Sequence, residues 1–388
     1  MSVTSASGFR AAGVTAGIKA SGKPDVALVV NDGPLAVAAA VFTANRFAAA
    51  PVIWTRQVVA DGEVRAVILN SGGANACTGP EGFGDTHRTA EYVASALVAT
   101  GFEVGPGDVA VCSTGLIGER LSMEKLLVGV DASIAALSAD GGPDAAVSIM
   151  TTDSVPKNSQ VTTGGYTVGG MAKGAGMLAP SLATMLVVVT TDAVVDAELA
   201  DSALRVATSL TFNRIDSDGC MSTNDTVLLM ASGASGVAPD PASFTDAVTQ
   251  VCADLARQLI ADAEGASKDI DIAVVNAVSE SDALEAARAV SRSNLLKCAI
   301  HGEDPNWGRI LSAVGTTSAA FEPEQVNVAI NDVWVCKAGG VGDSRDLVDM
   351  TGRLVRITVD LGAGGAEARV LTNDLTADYV HENSAYST

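Results

Sequence analysis

Residues 171–191 read MAKGAGMLAPSLATMLVVVTT and combine two halves of opposite character. The first half carries closely spaced glycines and a proline, which disfavour regular structure. The second half, from Thr184, is β-branched and almost wholly apolar, which predicts a buried strand. In the commoner interpretation, Thr184 merely begins that strand. In the alternative, its hydroxyl attacks the carbonyl of Ala183, and cleavage leaves a threonine nucleophile paired with its own α-amine.

The composition of the chain excludes several classes of protein. Its 388 residues are 48% hydrophobic and 18% charged, which predicts a large core and argues against disorder. The net charge of −21 repels phosphate backbones and argues against a nucleic-acid partner. The apolar runs are too short to cross a membrane, and the N-terminus has no apolar signal region. Six scattered cysteines without a C-x-x-C pair indicate buried thiols, so we expect a cytoplasmic protein.

Strand and helix patterns are mixed along the whole chain, which predicts an α+β (mixed α/β) fold with a smaller C-terminal α/β part. Three local expectations depend on short apolar runs. Residues 35–42 are expected to form a hairpin with the strand at 26–30. Residues 295–300 are expected to form a strand, and residues 354–361 and 366–371 a second hairpin around the glycine-rich turn at 362–365.

The motifs typical of common cofactors and metals are missing or out of context. The chain has three histidines and no G-x-S-x-G or Walker motif, which argues against a Ser-His-Asp hydrolase, a histidine metal site and a P-loop. Residues 174–179 fit G-x-G-x-x-A, but no strand is predicted before them and a strand follows where a helix is required. The polar stretch 214–225 suits a cation or a hydroxyl network, and turn chemistry explains it equally well. We therefore expect neither a cofactor nor a metal.

Three short segments carry candidate chemistry. The 113–115 triplet Ser-Thr-Gly directly follows a predicted strand, so it forms either an oxyanion hole or a plain turn. Lys173 lies among small residues and either binds a carboxylate or is an exposed loop lysine. Glu264 ends a long predicted helix, where the dipole disfavours an anion. It therefore needs a cationic partner, which is either a substrate ammonium or Lys268.

A series of short motifs extends over nearly the whole chain in a fixed order. They are LNSG (69–72), ANACTG (74–79), STGLIG (113–118), TTD (151–153), KGAGM (173–177), ATML (183–186), DG (218–219), STND (222–225), EGA (264–266), DPNWGR (304–309), YV (379–380) and NSAYST (383–388). By these motifs the chain resembles the ornithine acetyltransferase family of arginine biosynthesis, also called glutamate N-acetyltransferase.

The resemblance implies that the chain cuts itself between Ala183 and Thr184. An α chain of residues 1–183 would then carry the oxyanion hole, and a β chain of residues 184–388 would begin with the nucleophile Thr184. The oxyanion hole would consist of Thr114 and Gly115. The implied architecture is the layered sheets and helices of self-processing N-terminal-nucleophile enzymes.

The family also implies a set of substrate contacts. They are Thr152, Lys173, Thr184, Glu264, Asn383 and Thr388. Because Thr151 and Thr152 both occur in the motif, the choice between them stays open. The chain departs from the family pattern at Ser267, where threonine is usual, and at Ser387, where arginine is frequent.

The implied reaction transfers an acetyl group from N2-acetylornithine to glutamate through an acetyl-threonine intermediate in a ping-pong cycle. No residue pattern decides whether acetyl-CoA is also a donor. The expected assembly is a heterotetramer of two α and two β chains, with no membrane partner. Two rival hypotheses are a self-processing N-terminal-nucleophile aminopeptidase or amidase, and a non-enzymatic, unprocessed metabolite-binding protein.

Overall fold

The computed structural model describes residues 2–179 and 185–385, and these divide into two compact units. The first unit comprises residues 2–213, with the gap at 180–184, and residues 220–259. The second comprises residues 214–219 and 260–385. The predicted cleavage site lies outside the described residues, so the predicted division into chains 1–183 and 184–388 stays a prediction.

The first unit is built from nine strands and six helices within the described ranges. The strands are β1 (Phe9–Val14), β2 (Val26–Asn31), β3 (Val37–Phe42), β4 (Ala66–Asn70), β5 (Val109–Ser113), β6 (Lys157–Thr163), β7 (Tyr166–Lys173), β8 (Leu186–Thr191) and β9 (Thr226–Ala231). The helices are α1 (Ala50–Val58), α2 (Gly79–Ala99), α3 (Met123–Ala135), α4 (Gly142–Ser148), α5 (Ala197–Leu210) and α6 (Pro241–Ala261), the last of which runs to the unit boundary.

These strands form two sheets that pack face to face. The first sheet has the order β1-β2-β4-β5, in which only β4 and β5 are parallel. The second has the order β3-β9-β8-β7-β6, in which only β8 and β9 are parallel. Alternate residues of both sheets, such as Val29 and Val188, share one buried cluster. The main core of this unit therefore lies between the sheets.

Strand β2 is apolar at successive positions because both of its faces are buried. Its residues Ala27 and Val29 face the second sheet, whereas Val26, Leu28 and Val30 belong to a cluster with helices α2 and α3. A strand buried on both faces has no polar side to alternate with. On the far side of the second sheet, Leu255 of α6 lies against β7. The layers are therefore helix, sheet, sheet and helix.

The second unit is a single sheet covered by helices. Its strands are β10 (Asp269–Ala277), β11 (Asn327–Ile330), β12 (Val333–Lys337), β13 (Gly340–Val341), β14 (Leu354–Asp360) and β15 (Ala366–Asn373), in the order β13-β12-β11-β14-β10-β15. Its helices are α7 (Glu280–Ser291), α8 (Asn294–His301), α9 (Trp307–Val314) and α10 (Ala377–Ala385). Ala283, Ala287 and Val290 of α7 pack on the buried face of β10. The predicted class, a mixed α+β fold with a smaller C-terminal α/β part, is confirmed.

The expected hairpin between residues 26–30 and 35–42 is wrong. Both segments are strands, but β3 pairs antiparallel with β9 in the other sheet, with Val37 opposite Ala231. Strand β2 already has a neighbour on each edge, because it pairs with β1 and β4. The turn between them therefore passes the chain from one sheet to the other.

Residues 295–300 form helix α8, so the predicted strand is wrong here. Ser293 precedes the helix, and its hydroxyl accepts the Leu296 N–H at 3.3 Å, which is the geometry of an N-cap. Leu296, Ala299 and Ile300 are buried, whereas Leu295 is 66% exposed. This spacing is helical, but a short apolar run does not reveal it without the cap.

The second expected hairpin is also wrong, although both of its strands exist. Strands β14 and β15 lie on opposite sides of β10, the first parallel and the second antiparallel to it. The turn at 362–365 crosses the end of β10. A Cβ on Gly364 would lie 2.3 Å from the Ala277 carbonyl oxygen, so a glycine is required at that crossing.

Strand β7 ends at Lys173, directly before residues 174–179, whereas no strand was predicted there. The strand β8 that follows still argues against a dinucleotide motif, which requires a helix at that point. All six cysteines are free thiols, and Cys77, Cys220 and Cys298 are exposed instead of buried. None of the helices in the described ranges combines the length and the apolar character that crossing a bilayer requires.

The packing of β1 on α4 gives a stability test. A Cβ on Gly13 would lie 2.0 Å from the Asp144 carbonyl oxygen. We expect Gly13→Ala to lower the free energy of unfolding by about 1–3 kcal/mol, as for other overpacked sites. Urea denaturation followed by circular dichroism measures the change.

The matched control is Gly84→Ala, because Gly84 is exposed on helix α2 and a Cβ there meets no atom within 4 Å. This variant should be neutral or stabilised by up to about 1 kcal/mol. Equal effects of the two substitutions would contradict the proposed packing.

Candidate active site

Thr114 and Gly115 follow the end of β5 on a rigidly paired turn. The Thr114 N–H donates to the Asn70 carbonyl at 2.9 Å, and its carbonyl accepts the Gly73 N–H at 3.0 Å. Gly115 has φ +131°, and a Cβ there would lie 2.7 Å from the Gly73 nitrogen. Only glycine fits this position without distortion.

This pairing decides which groups remain as donors. The Thr114 N–H is already used, so the Thr114 side chain offers its hydroxyl instead. The Gly115 N–H donates to no atom of the described residues. A hydroxyl and an adjacent amide on a fixed turn are suitable donors for an oxyanion.

Further side chains fix the turn from behind. The Ser113 hydroxyl donates to the Asn70 side-chain oxygen at 2.6 Å, and the Asn70 amide donates to the Gly73 carbonyl at 3.0 Å. The Asn224 amide donates to the carbonyls of Ala74 and Ser113 at 2.6 and 2.8 Å. All these polar groups are buried and satisfied, so the turn is preorganised rather than flexible.

Lys173 ends strand β7 and is only 1% exposed, so the interpretation as an exposed loop lysine is wrong. Its Nζ lies 3.5 Å from the Thr114 hydroxyl oxygen and 3.9 Å from Asp153 Oδ2. The ammonium therefore lies beside the candidate oxyanion donors. The Asp153 carboxylate also faces this ammonium.

Asp153 is shared by two buried lysines. Its Oδ1 lies 2.7 Å from Nζ of Lys157, and neither side chain has exposed surface. The Gly174 N–H donates to the same carboxylate at 2.6 Å. Burial alone raises a carboxyl pKa, but here the charges of Lys173 and Lys157 outweigh it and lower the pKa of Asp153 to about 2. The two ammonium groups thus share one carboxylate, and that of Lys173 also lies beside Thr114.

Asp225 joins this region to the start of strand β8. Its Oδ1 accepts the Met185 N–H at 2.9 Å, and the carboxyl is fully buried. Burial raises the pKa of Asp225 well above its usual value, although the Met185 amide and the charge of Lys173 oppose that rise. Asp225 therefore holds the N–H of Met185, the residue that follows the predicted nucleophile in sequence.

Glu264 and Asn383 come together in the second unit. The Asn383 amide donates to Glu264 Oε2 at 3.0 Å. Helix α6 ends at Ala261, so Glu264 lies in the turn after the helix and not at its end, contrary to expectation. Gly265 has φ +61°, and a Cβ there would lie 2.2 Å from the Tyr379 nitrogen, so this turn packs closely on α10. Lys268, the alternative partner expected for Glu264, forms an ion pair with Glu303 instead, at 2.8 Å.

The remaining predicted residues are less informative. Thr152 is half-buried next to Asp153, and the Thr151 N–H donates to Asp153 Oδ2 at 3.0 Å. Ala183, Thr184 and Thr388 lie outside the described residues. Within residues 2–179 and 185–385, no three His, Cys, Asp or Glu side chains form a cluster that could bind a metal.

Comparison with known proteins decides the family. A model of the ArgJ family matches residues 10–388. The chain belongs to the ArgJ family. The arginine biosynthesis bifunctional protein ArgJ of Streptomyces coelicolor is 66% identical over 387 residues, and that of Thermobifida fusca is 63% identical over 388 residues. Each alignment covers 100% of both chains.

A solved structure is also similar to this member of the ArgJ family. It is the crystal structure of ornithine acetyltransferase from Mycobacterium tuberculosis complexed with ornithine. It is 60% identical, covers 48% of this chain and 96% of its own, and has a TM-score of 0.46. The family inferred from the motifs is confirmed, and with it the assignment to the acyltransferase enzymes of arginine biosynthesis.

Several residues of this ArgJ site were missed by sequence reasoning. Asp153 and Asp225 both lie in motifs of the family. Asp153 contacts Lys173, which is 20 residues away, and Asp225 accepts a backbone N–H, so neither contact has a local sequence signal. Lys157 lies four residues after Asp153, a spacing that is compatible with an ion pair. That spacing was the one available signal, and it does not reveal that both side chains are buried.

Asp153 gives a test with a defined pH dependence. At neutral pH, Asp153→Asn removes the carboxylate that lies 2.7 Å from the buried Lys157 ammonium, and we expect a loss of about 3–5 kcal/mol of unfolding free energy. The folded pKa of about 2 lies below the unfolded value of roughly 3.9, so the carboxylate stabilises the fold above pH 4. This contribution disappears as the pH falls from about 4 to 2.

Urea denaturation at a series of pH values measures this dependence. The difference between wild type and Asp153→Asn should be constant from about pH 5 to 8 and shrink below about 4. Asp140→Asn is the control, because Asp140 is exposed and its carboxylate makes no hydrogen bond to the described residues. A difference that stays equal at acid and neutral pH would refute the buried ion pair.

Asp225 gives a second test, which separates hydrogen bonding from charge. Asp225→Asn keeps an oxygen that can accept the Met185 N–H, whereas Asp225→Ala leaves that buried amide unpaired. We expect the alanine variant to be less stable than the asparagine variant by about 1–3 kcal/mol. The midpoints of thermal and urea unfolding check this order, and equal stability of the two variants would argue against the role of Asp225.

Proposed function

We propose that this chain is a self-processing glutamate N-acetyltransferase, which moves the acetyl group of N2-acetylornithine to glutamate. The observation that carries the proposal is the fixed pair of donors, the Thr114 hydroxyl and the Gly115 N–H, beside the buried ammonium of Lys173. Membership of the ArgJ family supports it, because the relatives are named for arginine biosynthesis. These relatives are also named bifunctional proteins, so the proposal includes acetyl-CoA as a second donor.

The first step is cleavage of the precursor. The Thr184 hydroxyl attacks the Ala183 carbonyl, and the peptide bond becomes an ester as the Thr184 nitrogen is released. Water hydrolyses this ester, which leaves a carboxylate on Ala183 and a free α-amine on Thr184. The amine has a reference pKa of roughly 7.7–8.0, so it can act as general base at neutral pH.

The second step is acetyl transfer. The Thr184 oxygen attacks the acetyl carbonyl, its proton passes through the α-amine to the departing nitrogen, and ornithine leaves. The amine of glutamate then attacks the acetyl ester and regenerates the Thr184 hydroxyl. Thr114 and Gly115 stabilise the oxyanion of both tetrahedral intermediates. In other enzymes each such donor contributes about 2.7–4 kcal/mol.

Charge accounts for the proposed substrate contacts. The buried ammonium of Lys173 suits the α-carboxylate that both substrates share. Glu264, oriented by Asn383, suits the side-chain ammonium of ornithine. Thr152 and Thr388 complete the proposed contacts by family analogy.

Strand order explains how the two cleaved chains would stay together. In the sheet β3-β9-β8-β7-β6, strands β8 and β9 belong to the proposed β chain and are flanked by α-chain strands on both sides. Backbone hydrogen bonds therefore link the chains across β7 and β8 and across β3 and β9. We propose an assembly of two α and two β chains, located in the cytoplasm.

Intact mass and acetyl transfer test the proposal together. Wild type should give two species divided between residues 183 and 184, and should acetylate glutamate when N2-acetylornithine is supplied. Thr184→Ala should remain one chain and transfer no acetyl group, since it lacks the attacking oxygen. The control Thr163→Ala, an exposed position in β6, should behave as wild type.

Two outcomes would contradict the proposal. Splitting of Thr184→Ala at the same bond would remove Thr184 as the nucleophile. Acetate release from N2-acetylornithine that is independent of glutamate would instead identify a self-processing amidase.

A further inference from the structure

A segment near the N-terminus lies against the candidate oxyanion turn. The buried carboxylate of Asp25 accepts the backbone N–H groups of Ala16, Ile18 and Lys19 at 2.6, 2.6 and 2.9 Å. Three amides on one carboxylate fix the conformation of this segment. The backbone of residues 16–19 is therefore held in one conformation, and Lys19 is part of it.

Residues 16–19 are in direct contact with the turn that carries Thr114. A Cβ on Gly72 would lie 2.3 Å from the side chain of Ile18, so Ile18 packs onto the glycine backbone. The next residue, Gly73, donates its N–H to the Thr114 carbonyl. Gly72 and Gly73 therefore connect the segment to the turn of Thr114 through direct contacts.

The ammonium of Lys19 points to the region of Asp153 and Lys173. It donates to the carbonyls of Pro24 and Met150 at 2.8 and 2.6 Å. The peptide of Met150 continues to the Thr151 N–H, which donates to Asp153 Oδ2, and Lys173 lies 3.9 Å beyond that oxygen. These links place the ammonium groups of Lys19 and Lys173 no more than about 12 Å apart.

The Lys19 ammonium has capacity for one more partner. An ammonium has three N–H donors, and two of them are used by the carbonyls of Pro24 and Met150. The side chain is half-buried. Burial lowers the pKa of Lys19 to about 8, an effect that Asp25 opposes and Lys173 reinforces. A bound carboxylate would compensate this partly desolvated charge.

The two proposed substrates differ in their need for such a cation. Glutamate has two carboxylates, whose carbon atoms are about 5 Å apart in an extended chain. With one ammonium–oxygen contact of about 2.8 Å at each end, one glutamate can span two ammonium groups that lie within this limit of about 12 Å. N2-acetylornithine has one carboxylate and a cationic side chain, which Lys19 would repel.

We propose that Lys19 binds the side-chain carboxylate of the acceptor, while Lys173 binds the α-carboxylate common to donor and acceptor. This inference rests on the proposed acetyl transfer to glutamate. Lys19 is then a specificity-determining residue for the second half of the reaction. It explains how glutamate binds although it lacks the ammonium that Glu264 suits.

The test uses the cleaved enzyme and separates the two half-reactions. In a ping-pong cycle, kcat/KM for each substrate reports only its own half-reaction. Lys19→Met should lower kcat/KM for glutamate by about tenfold or more, because a charge-assisted contact is lost. The decrease in kcat/KM for N2-acetylornithine should be much smaller, and Lys19→Arg should restore most of the activity with glutamate.

The ratio of glutamate to glutamine as acceptor is the second readout. Glutamine has the same shape without the negative charge, so wild type should prefer glutamate by about tenfold or more, and Lys19→Met should lose most of this preference. A merely structural role would lower both rates and keep the ratio. Lys125→Met is the matched control, because the exposed Lys125 donates to the Gly17 carbonyl of the same segment at 2.7 Å.

The outcomes distinguish this inference from the function on which it rests. If wild type transfers acetyl to glutamate and glutamine equally, or if Lys19→Met keeps the wild-type ratio, the role of Lys19 is refuted and the transferase stands. If wild type transfers no acetyl group to glutamate, the proposed function fails and the inference with it. Because the wild-type ratio needs no variant, the test survives a Lys19→Met protein that does not fold.

Discussion

The position of strand β8 between β7 and β9 is the constraint on which the site depends. In this register Leu186 lies opposite Lys173 on one side and Thr226 on the other. The ends of three strands therefore meet at one level of the sheet. Lys173 ends β7, Asp225 immediately precedes β9, and Met185 immediately precedes β8. A slip of β8 by one residue would turn its own side chains to the opposite face and break this alignment.

Buried charge is the second organising feature of the first unit. Two lysines with almost no exposed surface share Asp153, and this arrangement is costly unless each charge is compensated. They lie in a protein whose net charge is −21. Small carboxylates can therefore meet buried ammonium groups, while the acidic surface disfavours polyanions.

The sequence predicts the elements better than their partners. The 113–115 turn was identifiable because a strong strand stops at a Ser-Thr-Gly triplet, a local signal. The pairing of β3 with β9 in the second sheet could not be predicted, because a hairpin and a crossover have the same local pattern of apolar residues. The burial of Lys173 was missed for the same reason, since Asp153 is 20 residues away. Lys19 had no local signal at all, because its significance depends on contacts with residues near 72 and 150.

The second sheet contains strands from both sides of the proposed cut, and this has a consequence for how the protein folds and unfolds. Strands on both sides of the proposed cut pair with one another, and Lys173 meets Thr114 only in the folded structure, so cleavage that depends on these residues needs the sheet to form first. Processing would then follow folding and could not precede it. Once the bond is cut, unfolding would release two fragments, each with unpaired strand edges. Their reunion would depend on concentration, so the mature protein would rely on slow unfolding and not on refolding for its persistence.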